Sequence, residues 1–179
     1  MQARYIAAVI IMLAVAVSGY LLIQNLKGLG PGKYNSEAAG IEFTYPNNYL
    51  LAEHREGGGA RDWDVVILTE ENDLPIPQNS EGPPSIVMIV FENVENQSLE
   101  DWIHGSAFSN FKLSDEKLSS TTVGGEEALA YRYSGLYESD AVVVEHSARV
   151  YFFSAGWITE EDQIRRDFQS ILGSVTFKD

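Results

Sequence analysis

The chain has no cysteine, which removes disulfide staples, a lipid-modified cysteine anchor and a thiol nucleophile together. Histidine is scarce as well: His54, His104 and His146 are the only three, and they share no zinc-ligand spacing. No Gly-x-Ser-x-Gly elbow occurs, and the triplet Gly57-Gly58-Gly59 lacks the lysine and following helix of a phosphate-cradling loop. Positive charge is also in short supply. From Tyr34 onward, nine Lys or Arg stand against all twenty-six Asp or Glu, a difference of −17. Such a surface repels phosphate backbones, which argues against nucleic acid as a partner, and it repels anionic headgroups too. Acidity ordinarily serves solubility. With only five lysines present, a salty external medium is the sharper expectation.

A long apolar run is present, and it stands at the amino end. Tyr5–Ile23 carries no charge, and its nineteen residues would span about 28 Å as a helix, close to the hydrocarbon thickness of a bilayer. A cleaved signal peptide would use Arg4 as its charged start and Ala16-Val17-Ser18 as its cleavage site. The apolar run continues through Leu21, Leu22 and Ile23, which favours a retained anchor by length. With Arg4 before the run and Lys27 and Lys33 after it, the positive-inside rule selects neither orientation. A short tail ahead of a large folded domain points to export. The expectation is a single pass in the cell membrane, with the domain on the extracytoplasmic side (periplasm or cell surface). Residues 1–27 are read as membrane anchor or signal segment, 28–36 as a Gly/Pro linker, and 37–179 as one folded domain.

Strand patterns dominate that domain. Ile41, Phe43 and Tyr45 alternate with Glu42 and Thr44, Pro46 ends the pairing, Asn47-Asn48 suits a turn, and Tyr49 resumes the strand. Asp62–Thr69 and the nearly all-apolar Ser85–Glu92 follow, the second as a central strand covered on both faces. Between them, the prolines and glycine of residues 70–84 leave no regular element. Ser98-Leu-Glu-Asp101 has capping-box spacing and starts a short helix with Leu99, Trp102, Ile103 and Ala107 on one face. Strands are expected over Lys117–Val123 and Glu126–Tyr133, joined by the tight turn Gly124-Gly125, then over Ser139–Glu145 and Arg149–Ile158. Thr159-Glu-Glu-Asp162 repeats the capping logic before a helix with Ile164, Phe168, Ile171 and Leu172 on its apolar stripe. Val175–Phe177 closes the chain as a strand. Connections this short require antiparallel pairing, so the class is α+β: a mostly antiparallel sheet sandwiched by helices.

Three segments carry a likeness. Phe43-Thr-Tyr-Pro-Asn-Asn-Tyr49 resembles the start of PsbP-like domains. So do the Val123-Gly-Gly125 hairpin with the strand Ala128–Tyr131, and the closing helix and strand Phe168–Phe177. The likeness covers about residues 34–179, with Tyr49 where tryptophan is common. It implies the Mog1/PsbP-like fold. It also implies a non-catalytic role, since members act mainly as binding or assembly subunits, for instance beside photosystem II or on a small GTPase. No residue here matches a partner-specific contact, so neither partner is carried over.

The remaining residues offer few chemical constellations. Asp62 and Asp64 point the same way on a strand, and Glu53, His54 and Glu56 face them if the two segments form a hairpin. Glu53, His54, Asp62 and Asp64 are therefore the candidate site for a hard cation such as calcium; otherwise no cofactor is expected. The plainer reading is a solvated acidic strand end beside Arg55 and Arg61. His104-Gly-Ser106 sits in a short helix and reads as an outer face, not as a nucleophile. Asn96-Gln-Ser98 is a glycosylation sequon whose serine already caps a helix. Trp63 and Trp157 are the candidate contact aromatics, with core packing as their ordinary role. The expected function is a membrane-anchored extracytoplasmic binding or accessory domain. The alternatives are a hydrolase with a site assembled from loops around His54 or His146, and a structural envelope spacer.

Overall fold

A computed structural model describes residues 32–57 and 62–178. The apolar run Tyr5–Ile23 and residues 58–61 lie outside the described residues. Among those described, no helix is long and apolar enough to cross a membrane.

Seven strands form the main sheet: β3 (Tyr49–Gly57), β4 (Asp62–Glu70), β5 (Ile86–Glu92), β6 (Ser119–Val123), β7 (Glu126–Ser134), β8 (Glu138–His146) and β9 (Arg149–Trp157). Their order is β3-β4-β5-β9-β8-β7-β6, and every neighbouring pair is antiparallel. A smaller antiparallel sheet, in the order β1-β2-β10, joins β1 (Gly32–Ser36) and β10 (Thr176–Phe177) to the two edges of β2 (Ile41–Tyr45). Two helices complete the fold, α1 (Leu99–Gly105) and α2 (Gln163–Ser174).

The central strands explain the layering. On β9, Tyr151, Phe153, Ala155 and Trp157 point to one face, and Val150 and Phe152 point to the other. A strand apolar on both faces needs cover on both. The first face takes α2, through Ile164, Phe168, Ile171 and Leu172, together with Ile41, Phe43 and Val175 from the small-sheet side. The second takes α1, through Trp102 and Ile103, with Phe111 from the short turn Phe111–Leu113. Each such side chain contributes about 1.5–3 kcal/mol by leaving water. The expected α+β class with a mostly antiparallel sheet is what the described residues adopt.

Local chemistry sets the element ends. The Ser98 hydroxyl accepts the Asp101 N–H at 3.1 Å and donates to the Asp101 carboxylate at 2.7 Å, so α1 starts where the capping spacing places it. Gly124 and Gly125 both have positive φ, +60° and +91°, and a Cβ on Gly124 would lie 2.7 Å from the Phe177 ring. That turn needs glycine twice over, once for rotation and once for room.

Three departures have clear causes. Strand β1 begins at Gly32, inside the stretch assigned to the linker, because Tyr34 is buried against Phe43 and pairs with it across the strands. Helix α2 starts at Gln163 with Asp162 at its cap position, not directly after a cap at Thr159. The Asp162 carboxylate accepts the backbone N–H groups of Ile158 and Thr159 at 2.8 and 3.0 Å and the Thr159 hydroxyl, so residues 159–162 are held as a turn. Residues 71–73 form one 3-10 turn within the otherwise irregular 70–84 stretch.

Tyr49, the aromatic that restarts the chain after Pro46, ties sheet to helix. Its hydroxyl lies 3.0 Å from Asp167 on α2 and 3.4 Å from Glu70 on β4. One hydroxyl proton can serve only one of two carboxylates. Burial, then the neighbouring charge of Asp73, raises the Glu70 carboxyl above its usual range, against the lowering effect of the Tyr49 bond. A carboxyl raised in the folded state binds its proton better folded than unfolded, so stability falls as pH rises through that interval. Glu70→Gln is therefore expected to raise the melting temperature at neutral pH. Thermal denaturation across pH should show the gain shrinking below the ordinary carboxylate pKa.

Candidate functional site

A broad concave surface on the domain follows from a mismatch in strand length. Strand β7 runs for nine residues and β6 for five, so β6 pairs only with Glu126–Ala130. Beyond that point a single bridge, Ser114 to Tyr133, meets the β7 edge, and Asp115, Lys117 and Leu118 line the space beside it. The result is a cleft of about 670 Å³ whose lining includes Leu113, Lys117, Tyr131, Arg132 and Arg165. A second cleft, about 360 Å³, adjoins it at the β7–β8 hairpin and is lined by Leu136, Tyr137, Trp157 and Ile158. Ser134 and Glu138 line both, so the two clefts adjoin and are treated together as one groove.

Its floor is a compact charged network. Asp140 faces Arg132 across the β7–β8 pair and accepts from Arg132 Nε at 2.9 Å and from Arg165 Nε at 2.8 Å. Glu160 closes the circuit, accepting from Arg132 at 3.0 Å and from Arg165. Both guanidinium groups lie over the Trp157 ring, at 5.5 and 4.4 Å from its centroid. The Arg165 side chain is 17% exposed, and its hydrogen bond to Asp140 raises its pKa further. Two cations and two carboxylates leave this floor neutral. Glu138, which lines both clefts, stands outside these ion pairs.

The candidate contact aromatics take different places. Trp157 is only 5% exposed and lends its face to the two arginines, so it packs in the core beneath the smaller cleft that it helps line. Trp63 is half-buried and packs 5.1 Å from Phe108 and 6.2 Å from Phe91, at the rim of the second core.

The four candidate cation ligands are divided by the sheet. Strands β3 and β4 do form a hairpin, with Glu53 opposite Val66, Arg55 opposite Asp64 and Gly57 opposite Asp62. Residues directly opposite share a face, so Glu53, Asp62 and Asp64 lie together, while His54, opposite Val65, lies on the other side. Arg55 stands among the carboxylates, 3.6 Å from Asp62 and 3.9 Å from Asp64, and Glu53 accepts the Tyr34 hydroxyl at 2.6 Å. Burial, then that bond, pushes the Tyr34 phenol well up. Among the described residues no group of three or more His, Asp or Glu is arranged to hold a metal ion.

The histidines are similarly committed. His54 Nε2 sits 3.0 Å from Glu56 on its own strand. His146 Nδ1 lies 2.8 Å from Glu126, with its ring stacked 4.8 Å from Phe177. His104 meets the Phe111 ring edge-on at 4.6 Å, while the Ser106 hydroxyl accepts the Phe108 N–H at 3.2 Å. Asn96 of the sequon sits in a turn closed by its N–H to the Asn93 carbonyl at 3.0 Å.

Sequence reasoning missed the groove and its floor. Arg132, Asp140, Trp157 and Arg165 lie on four different elements and meet only through the β7-β8-β9 pairing and the seat of α2. One signal was available: Leu136, an apolar residue in the short Gly135-Leu136-Tyr137 connection where polar residues are usual.

No family model matches the chain, and no curated protein matches it significantly. Among solved structures, cyanobacterial PsbP (CyanoP) from Synechocystis sp. PCC 6803 is similar, with a TM-score of 0.55 at 14% identity. The match covers 84% of this chain and 94% of that one. A protein of Bacteroides thetaiotaomicron VPI-5482 superposes at a TM-score of 0.48 and 9% identity, over 84% of this chain and 49% of that one. The fold is PsbP-like, in agreement with the resemblance of the Tyr-Pro turn, the Gly-Gly hairpin and the closing helix and strand.

The floor network yields a direct expectation. Arg165→Ala removes the bonds to Asp140 and the nearer of the two cations over Trp157, and should destabilise the domain by about 1–3 kcal/mol. Arg165→Lys should recover little of that, because an ammonium has neither the planar face nor the fork. Urea unfolding of both variants, followed by tryptophan fluorescence, measures the difference.

Proposed function

We propose that the chain is a membrane-anchored, non-catalytic binding or accessory domain on the extracytoplasmic side, presenting the groove beside β7 to a protein partner or small ligand. The observation that carries this reading is the groove itself: open, partly apolar, and built over charges that already neutralise one another. A catalytic acid or base must be able to exchange a proton with a substrate, and the groups locked in mutual ion pairs are poorly placed to do so; Glu138, the groove carboxylate outside those pairs, is left as a point of charge for recognition. Shape and apolar surface serve recognition instead. The PsbP-like fold agrees with a binding role by analogy alone.

The anchor reading rests on the length and purity of the apolar run Tyr5–Ile23. The acidic domain, repelled by anionic headgroups, then stands away from the bilayer that holds it. Calcium at the β3–β4 acidic face is not needed for this role, since Arg55 already supplies positive charge there.

Expressed at its native level, the intact chain should stay with the membrane fraction after alkaline carbonate extraction. Removal of residues 5–23 should release a folded domain into the soluble fraction. An intact chain that washes off at high pH, or protease protection of the domain from the outside, would remove the anchored, exported reading.

A further inference from the structure

Four large hydrophobic side chains are exposed among the described residues, and three of them line the groove. Leu113, Leu136 and Ile158 are 48, 56 and 67% exposed and belong to the two adjoining clefts; Val94 lies outside both. Apolar surface gathered in a concavity marks a contact site, whereas isolated exposed residues need no explanation.

The charges give the groove a direction. Arg132 and Arg165 are neutralised by Asp140 and Glu160, and Lys117 by Asp115 at 2.7 Å. Glu138 is left over. It is exposed, lines both clefts and lies opposite Trp157 across the β8–β9 pair. Among the described residues its carboxylate accepts only the Ser134 hydroxyl, at 2.7 Å. A carboxylate outside the ion pairs, between two partly apolar clefts and on a domain carrying an acidic excess of 17 charges, complements a cation brought from outside.

We propose that the groove binds an extended segment of a partner protein in which one Lys or Arg is flanked by apolar side chains, the cation meeting Glu138 and the apolar groups filling the clefts at Leu136–Ile158 and Leu113. In an extended segment, alternate residues share a face about 7 Å apart, so the fitting pattern is apolar-x-basic-x-apolar. This rests on the binding-domain reading and names the chemistry of its partner. Anionic lipid is a poor occupant, because it would bring like charge to Glu138.

The test uses the full chain in zwitterionic detergent micelles and three labelled synthetic peptides, read by fluorescence anisotropy. The first has two leucines around a central lysine, spaced by serines; the second replaces the lysine with glutamate; the third replaces the leucines with serine. The first should bind at least about tenfold more tightly than either of the others. Glu138→Lys should reverse the preference between lysine and glutamate, and Leu136→Ser with Ile158→Ser should erase the advantage of leucine. All three positions are exposed, so melting temperatures should stay at the wild-type value. Equal affinity for the three peptides, or none for any, overturns the proposal. So does capture of lipid instead of protein by a photo-crosslinker at Leu136 in native membranes, which would assign the groove to lipid. Photo-crosslinkers at Leu136, Thr121 and Glu56 in native membranes separate the two levels. Capture only through Thr121 or Glu56 removes the groove and keeps the binding reading; silence at all three removes both.

Discussion

The constraint on which the rest depends is that β5, β8 and β9 are apolar on both faces. Tyr151 and Phe153 cannot be covered by the element that covers Val150 and Phe152, so the chain must supply two lids, and it does. Helix α2 and the small sheet form one, and α1 with the Phe111 turn forms the other. The Tyr151 hydroxyl, donated to the Ala39 carbonyl at 3.0 Å, fastens the first lid to the strand beneath it. The Tyr131 hydroxyl, donated to the Ser109 carbonyl at 2.6 Å, does the same for the second. Both phenols are raised above their usual range by burial, which keeps them in the donating form.

The groove is a by-product of this construction that lends itself to use. A sheet with two lids still has two edges, and edges are where backbone is left over. At β7 residues 131–134 extend past the shorter β6, and the Arg132–Asp140–Arg165–Glu160 network packs beside this edge, with both arginines over Trp157. A surface whose side chains are already held by one another recognises a segment at a smaller cost in ordering.

Much of the fold is legible because it is written locally. Alternation at Ile41, Phe43 and Tyr45, the Gly124-Gly125 turn and the Ser98 cap each declare an element within a few residues, and the structure places them there. What cannot be read is what depends on pairing. Nothing local says that Tyr34 belongs to a strand, since its reason is Phe43 across the pair. Asp162 looks like an acid in a helix's first turn until its carboxylate is seen bonding back to Ile158 and Thr159. Proximity in a hairpin groups His54 with Asp62 and Asp64, and the register then puts it on the opposite face. The groove combines all of these difficulties, since its walls come from two hairpins, a loop and a helix end.

Hydrogen exchange, followed residue by residue on the full chain in its native membranes and again after purification, tests the account most directly. If the groove is the working surface, amides at 113–118 and 134–138 should be slower to exchange in the membranes than in the purified chain, with β5, β8 and β9 protected equally in both. Identical exchange at the groove in the two preparations, with added protection confined to another surface such as the β3–β4 hairpin, would contradict it.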